Sequence, residues 1–161
     1  MHSWKKDRQV SGECSEGEEK AMKQISEEYR ARAQKLIKNV GLCADLKMKL
    51  TSLRPGDMIG EIDLKQKHLN FHGNAHGGTI FALADTISGY AVSSLGRNCT
   101  TINANINYLR AFHEKDKIIC HAKVTKIGQT CAWVRAELQN EDGVLCGTAD
   151  YVYYLLEELN L

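Results

Sequence analysis

A lone carboxylate, Asp85, lies inside the most apolar stretch of the chain, which runs from Thr79 to Leu95. The residues around it pack well, and a helix that is apolar on nearly every side is normally buried. An aspartate is almost never fully buried unless something pairs with it. Two interpretations follow. Either Asp85 occupies a narrow exposed strip or bonds a buried backbone amide, or it is a functional carboxylate such as a general base.

A glycine-rich segment from Asn70 to Gly78 precedes this helix and contains the run His76-Gly77-Gly78. Because Gly-Gly favours turn geometry, the segment up to Gly78 is predicted to be a loop. A loop that feeds a helix N-terminus presents unpaired backbone N–H groups at the positive end of the helix dipole. Such a site suits an anion or the oxyanion of a reacting carbonyl.

The spacing of Gly77 and Asp85 has a consequence for assembly. They are eight residues apart in the sequence, which along one helix is roughly 12 Å. A carbonyl held by the Gly77 N–H could hardly be attacked through Asp85 of the same helix. Two antiparallel helices related by a two-fold axis would bring Gly77 of one chain near Asp85 of the other. The spacing therefore predicts an active form that is at least a dimer.

Length and charge limit the classes of protein that fit. A chain of 161 residues suits one domain with a substantial core. Its 21 Lys and Arg nearly balance 20 Asp and Glu, so no nucleic-acid partner is expected. Uninterrupted apolar runs such as 80–84 are far short of a membrane span. The N-terminus is charged and lacks the apolar region of a secretory signal. A cytoplasmic protein without a membrane partner is therefore expected.

Cysteines and histidines invite a metal-site interpretation. No two cysteines form a Cys-x-x-Cys pair, and most fall in alternating strand patterns, which favours reduced cysteines that serve packing. His68, His72 and His76 recur at every fourth residue, but the glycines among them argue against a helical ligand face. We therefore expect no metal and no cofactor. The six cysteines are Cys14, Cys43, Cys99, Cys120, Cys131 and Cys146.

The N-terminal region predicts one amphipathic helix. Residues 1–14 are polar and unpatterned, Ser15 with Glu18 is a capping-box signature, and Gly41 ends the helix. Residues 1–41 are therefore predicted to be a tail and a helix, and residues 42–161 the main domain. The predicted apolar stripe of the helix comprises Met22, Ile25, Tyr29, Leu36 and Val40.

The remaining residues alternate with the period of strands. A turn at 54–57 joins two short strands before the glycine-rich segment, and period-two patterns return after Gly96. Short turns between the later strands predict an antiparallel meander, whose concave side only the helix from Thr79 is apolar enough to fill. The later strands are predicted at about 101–108, 117–127, 130–139 and 144–156.

This order of elements resembles the hotdog fold, an α+β fold in which an antiparallel sheet wraps around one long buried helix. The chain also resembles the PaaI-like acyl-CoA thioesterases over about residues 44–156. The residues that carry this resemblance are Asn70, His76-Gly77-Gly78, the segment 81–85 that ends in Asp85, and the segment 105–110. The resemblance implies hydrolysis of an acyl-CoA, without a metal, by a homodimer or a homotetramer built as a dimer of dimers.

The resemblance also assigns roles to individual residues. Asp85 matches the catalytic carboxylate, which acts as a general base for water or as a nucleophile. Gly77 matches the glycine whose N–H binds the thioester oxygen, and Asn70 an asparagine that positions the thioester or the water. His76 and Thr101 match polar positions at the rim of the site. Gly78 is expected, with Thr101, to contact the substrate.

Two other functions are compatible with such a fold. A hotdog hydratase or dehydratase usually needs a paired histidine and acid, and the helix from Thr79 contains no histidine. A non-catalytic module that senses acyl-CoA would fit if the fold were joined to a DNA-binding domain. The N-terminal region is predicted to hold one helix, which is too little for a helix-turn-helix. Release of thiol from acyl-CoA would distinguish the hydrolase from the sensor.

Overall fold

The computed structural model describes residues 25–159. Four helical segments and six strands follow one another in this part of the chain. In chain order they are α1 (Glu27–Asn39), α2 (Gly41–Asp45), β1 (Lys49–Arg54), β2 (Asp57–Asp63), a 3₁₀ turn (Gln66–His68), α3 (Gly77–Ser93), β3 (Arg97–Tyr108), β4 (Lys117–Ile127), β5 (Cys131–Gln139) and β6 (Leu145–Glu158).

The strands form one antiparallel sheet in the order β1-β2-β4-β5-β6-β3. The predicted hotdog fold is confirmed, but the prediction that the last four strands form a simple meander is wrong. Strand β3 pairs with β6 rather than with β4, which follows it in the chain. The connection 109–116 carries the chain across the sheet. Strand β4 can therefore pair with β2, and β3 is left at the edge.

Helix α3 begins two residues earlier than the sequence predicts. Gly77 and Gly78 are its first residues and not part of a loop. The His76 side chain caps this end, because its Nδ1 accepts a hydrogen bond from the Gly78 N–H at 2.9 Å. The N–H groups in the first turn of a helix have no intrahelical acceptor, and here a side-chain cap binds one of them. Two glycines can therefore begin this helix at little cost in stability. Gly77 and Asp85 therefore lie on one continuous helix.

The concave side of the sheet encloses α3, which packs against strands β2 to β6. None of its residues from Thr79 to Ser93 is fully exposed. Gly60 of β2 is needed for this packing, because a Cβ atom there would overlap the side chain of Ile87. The sheet thus holds α3 in a fixed position, and with it the carboxylate of Asp85.

Helix α1 begins after Ser26, whose hydroxyl accepts a hydrogen bond from the Tyr29 N–H. Its buried stripe is Tyr29, Ala33 and Ile37. Leu36 and Val40 of the predicted stripe are exposed, so that part of the prediction is wrong. Ala33 lies four residues after Tyr29 and Ile37 four residues after Ala33, whereas the predicted stripe passed over both. The buried residues join the same apolar cluster as α3 and the sheet.

Some predictions about the N-terminal region remain open. The predicted capping box at Ser15 and Glu18, and Met22 of the stripe, lie outside the described residues. The division between 1–41 and 42–161 stays a prediction. It falls at the turn where Val40 ends α1 and Gly41 takes a positive φ of 52°.

Candidate active site

The carboxylate of Asp85 is half-buried and held by two hydroxyl groups. Its Oδ1 accepts a hydrogen bond from Thr101 Oγ1 at 2.7 Å and another from Tyr153 Oη at 3.2 Å. Tyr153 Oη also lies 2.7 Å from the backbone oxygen of Asp85. No residue between 25 and 159 bonds to the other carboxylate oxygen, Oδ2. One oxygen is therefore fixed, while the second is free to meet a ligand or water.

Tyr153 remains a hydrogen-bond donor at any physiological pH. Burial raises the pKa of its hydroxyl far above the ordinary value, and the neighbouring Asp85 carboxylate raises it further. A phenol that stays protonated can fix a carboxylate oxygen without competing with it for a proton. Tyr153 is thus a positioning group for Asp85.

A groove between α3 and β3 opens at this carboxylate. We call it the aspartate groove and define it by Asp85, Gly89, Ser93, Cys99, Thr101 and Tyr153. Burial, with a smaller contribution from Asp85, raises the pKa of the Cys99 thiol to about 11. Because the thiolate is the nucleophilic form of cysteine, Cys99 is unsuited to attack a substrate. Asp85 is the group in this groove that is suited to activate water.

A second groove lies at the N-terminus of α3. We call it the glycine groove and define it by Asn70, Asn74, Gly77, Tyr108, Arg110 and Phe112. The Gly77 N–H has no acceptor among the described residues, whereas the Gly78 N–H is taken by His76. Tyr108 Oη donates to the Gly77 backbone oxygen at 3.0 Å. An unpaired N–H at a helix N-terminus is a suitable donor to an oxyanion.

Asn70 closes the loop that forms one wall of the glycine groove. Its Oδ1 accepts hydrogen bonds from the His72 N–H at 2.9 Å and from the Asn74 N–H at 3.3 Å. The backbone N–H of Asn70 also donates to the Asn74 oxygen at 2.7 Å. The side-chain oxygen is therefore committed to the loop. Its amide nitrogen, which has no acceptor within residues 25–159, is the atom left to bind a ligand.

The structure thus divides the predicted site residues between two grooves. Asp85 and Thr101 meet in the aspartate groove, whereas Asn70 and Gly77 line the glycine groove. The two grooves share no lining residue. His76 is exposed and caps the N-terminus of α3, the helix that carries both Gly77 and Asp85.

Two tyrosines at this site were missed in the sequence. Tyr153 lies on the same face of β6 as Tyr151, and both are buried toward α3. The alternation of that strand could have indicated an inward-facing hydroxyl beside the long helix. Tyr108 belongs to the segment 105–110 that carries the family resemblance, but nothing in its spacing indicated a bond to Gly77.

The histidines at every fourth residue serve different purposes. His68 is buried, and its Nδ1 accepts a hydrogen bond from the Lys65 N–H, whereas His72 is exposed beside Phe71. Within residues 25–159, no three His, Cys, Asp or Glu side chains are grouped so that they could hold a metal ion. The cysteines of this part of the chain are all unpaired.

None of the helices in the described part of the chain is both long enough and apolar enough to span a membrane.

Comparison with known proteins relates this chain to thioesterases. The family described as the Thioesterase superfamily matches residues 72–147. Human acyl-coenzyme A thioesterase 13 is 32% identical over 97 residues, which is 59% of this chain and 69% of that protein. The fold matches that of the Escherichia coli PaaI protein of the phenylacetic acid degradation operon, with a TM-score of 0.78 over 84% of this chain and 98% of that one, at 22% identity.

A second structural relative is a hypothetical thioesterase of Streptococcus pneumoniae solved with coenzyme A. The TM-score is 0.67 at 29% identity, and the match covers 69% of this chain and 87% of that chain. Two solved variants of this S. pneumoniae protein replace an aspartate and a threonine by alanine.

Proposed function

This chain belongs to the thioesterase superfamily as a PaaI-like hotdog thioester hydrolase, and we propose that it cleaves an acyl-CoA to a free acid and CoA at a site built around Asp85 and Gly77. The observation that carries the proposal is the carboxylate of Asp85. Two hydroxyls fix one of its oxygens, and the other faces an open groove. No cofactor is required, because a thioester is already activated toward attack.

The chemistry of Asp85 can take either of two routes. As a general base, Oδ2 accepts a proton from a water whose oxygen attacks the thioester carbonyl. The tetrahedral intermediate then collapses, the C–S bond breaks, and the proton passes to the departing CoA thiolate. As a nucleophile, the carboxylate itself attacks the carbonyl and forms an anhydride, which water hydrolyses after the thiolate has left. Both routes end in the same acid and thiol.

A spacing in the S. pneumoniae relative supports the pairing of Asp85 with Thr101. The aspartate and the threonine replaced in its solved variants are sixteen positions apart, and Asp85 and Thr101 have the same separation here. We therefore assign Thr101 the role of holding Asp85 in place, in addition to contact with the substrate at the rim.

The Gly77 N–H is the proposed oxyanion donor. It is unpaired, and it lies at the positive end of the dipole of the seventeen-residue helix α3. Removal of one such donor typically lowers a rate on the order of 10²- to 10³-fold. Asn70 would position the thioester or the water through its free amide nitrogen. His76 would fix the N-terminus of α3 by accepting the Gly78 N–H, which leaves the Gly77 N–H available to the substrate.

A dimer would unite the two grooves. Strand β3 is a twelve-residue edge strand that exposes Ile102 and Tyr108, and edges of this kind are normally paired or protected. Two β3 strands paired antiparallel about a two-fold axis between Ala104 and Asn105 would set Thr101 of one copy opposite Tyr108 of the other. The carboxylate of one copy would then approach the glycine groove of the second. Further assembly into a tetramer, and a cytoplasmic location, remain predictions.

Thiol release from a panel of acyl-CoA thioesters tests the proposed function. Purified protein should release free CoA, measured with a thiol reagent, from at least one of a set of short, long and aromatic acyl-CoAs. Tight binding of acyl-CoA without release would instead indicate a sensor. Conversion of an enoyl-CoA without loss of the thioester would indicate a hydratase. Either outcome would contradict hydrolysis.

Replacement of Tyr153 tests how Asp85 is positioned. Tyr153→Phe removes the donor to Oδ1 but keeps the ring, so we expect kcat to fall about tenfold with little change in KM. Tyr151→Phe is the matched control, because Tyr151 lies on the same face of β6 but its hydroxyl bonds the Phe81 backbone oxygen. Equal losses in both variants would show that Tyr153 acts only through packing.

Two replacements of Asn70 separate its effect on the loop from its effect on the substrate. Asn70→Asp keeps an acceptor for the His72 and Asn74 N–H groups but loses the amide donor, whereas Asn70→Ala loses both. We expect thiol release to fall on the order of ten- to a hundredfold in both variants, and to remain well above that of an Asp85 variant. Wild-type rates in Asn70→Asp would show that Asn70 serves only the loop.

A further inference from the structure

Gly89 occupies the interior of α3 at a position where packing does not require a glycine. A Cβ atom built there would lie 3.7 Å from Cε1 and 3.9 Å from Oη of Tyr153, which are ordinary contact distances. Glycine in a helix interior is less stable than alanine. The chain therefore leaves space beside Tyr153 that an alanine could fill at a gain in helix stability.

The space above Gly89 belongs to the aspartate groove. Asp85, Gly89 and Ser93 lie on successive turns of α3, so all three face the same side of the helix. Strand β3 forms the opposite wall with Cys99 and Thr101. From the carboxylate, the groove thus passes over Gly89, the one position on this side of the helix turn that carries no side chain.

Helix α1 contacts the far end of this groove through Tyr29. The Tyr29 hydroxyl lies 2.6 Å from Ser93 Oγ and donates to the Tyr90 backbone oxygen at 2.9 Å. Tyr29 is buried. Tyr29 also lines a second depression, which is otherwise formed by α1 residues such as Ala33 and Leu36. This depression shares Tyr90, Ser93 and Asn98 with the aspartate groove. Tyr29 therefore lies where the aspartate groove meets this second depression.

We infer that the acyl group lies in the aspartate groove above Gly89, and that Tyr29 of α1 ends this groove, so that the preferred substrates carry acyl chains of about ten carbons or fewer. The length follows from geometry. Asp85 and Ser93 are roughly 12 Å apart along the helix, and an extended chain advances roughly 1.2 Å per bond. The inference rests on the proposed function and gives α1 a role in selecting the substrate.

The first test fills the floor of the groove. Gly89→Ala should raise the melting temperature by about 2 °C, because alanine favours the helix. The added methyl should nevertheless lower kcat/KM for octanoyl-CoA relative to acetyl-CoA by roughly tenfold, because only the longer chain reaches the second turn. Since this variant is expected to fold better than the wild type, a change in the ratio cannot be attributed to unfolding.

The second test opens the end of the groove. Tyr29→Ala should raise kcat/KM for hexadecanoyl-CoA relative to octanoyl-CoA by roughly tenfold, since the ring no longer ends the groove. Tyr29→Phe keeps the ring and loses only the hydroxyl bonds, so it should change the ratio less than Tyr29→Ala does. Circular dichroism would check that both variants retain the fold.

The outcomes separate this inference from the proposed function. If the wild type releases thiol but neither Gly89→Ala nor Tyr29→Ala changes the chain-length ratios, the acyl group lies elsewhere and the inference is wrong. A uniform loss across all chain lengths in Gly89→Ala would also overturn it. Release of thiol from aromatic acyl-CoAs alone would overturn the inference but not the proposed function. A wild type that releases no thiol from any short, long or aromatic acyl-CoA would contradict the proposed function, and with it the inference.

Discussion

Asp85→Asn should reduce thiol release from acyl-CoA by on the order of 10³-fold or more, while the fold and acyl-CoA binding are retained. The amide has nearly the size of the carboxylate, and its oxygen can still accept hydrogen bonds from Thr101 and Tyr153. It cannot take a proton from water or attack a carbonyl. The loss should therefore appear in kcat, measured with saturating acyl-CoA, and not in the dissociation constant measured by calorimetry.

A control separates the loss of the catalytic carboxylate from the general effect of removing a negative charge. Asp150 is an exposed carboxylate on β6, 3.3 Å from Arg135 Nη1, and it lines neither groove. Asp150→Asn should keep the wild-type rate, because exposed ion pairs contribute little to stability. Wild-type thiol release in Asp85→Asn would show that another group activates water, and the assignment of Asp85 would have to be withdrawn.

The elements with strong local signals were predictable from the sequence. Helix α3 has a long apolar stretch, and its central carboxylate stood out because burial of an unpaired charge is costly. The strands after Gly96 alternate regularly, so their positions were predicted to within a few residues, apart from the start of β3 at Arg97. The residues of the His76-Gly77-Gly78 run and of the stretch ending in Asp85 carried the family resemblance, which the comparisons confirm.

Features that depend on distant parts of the chain could not be predicted in the same way. The partner of β3 is β6, which follows about forty residues later, and alternation within a strand does not reveal its neighbour. The hydroxyl of Tyr153 reaches Asp85 across 68 positions in the sequence. Local pattern indicates which face of a strand is buried, but it does not identify which side chain of a helix will meet that face.

The errors at the two helices have local causes. At α3, the His76 cap outweighed the preference of glycine for turns. This cap could not be recognised in the sequence, because histidine is not a typical N-cap residue. At α1, the predicted stripe favoured large apolar residues, whereas the helix buries the small Ala33 against the core. Size was a poorer guide than the spacing from Tyr29.

Complementation between two inactive variants should restore activity if the site is built from two chains. Gly77→Val should inactivate the glycine groove, because a Cβ added at position 77 would lie 3.2 Å from Tyr108 Oη and the larger side chain would obstruct the N–H. Asp85→Asn should inactivate the aspartate groove. Each variant alone forms dimers in which both shared sites lack an essential group, so each should be inactive when measured separately.

In a mixed dimer, one site combines the intact Gly77 of one chain with the intact Asp85 of the other, while the second site carries both defects. Random exchange makes about half of the dimers mixed, each with one working site of two, so activity should approach about a quarter of the wild-type value. Mass spectrometry would verify that mixed dimers are present. We expect a shared site because the two groups are roughly 12 Å apart along one helix. If each site lay within one chain instead, every site in the mixture would carry one of the two defects, and no activity would return. An inactive mixture that contains mixed dimers would mean that each site lies within one chain, and that the two grooves are not joined across β3.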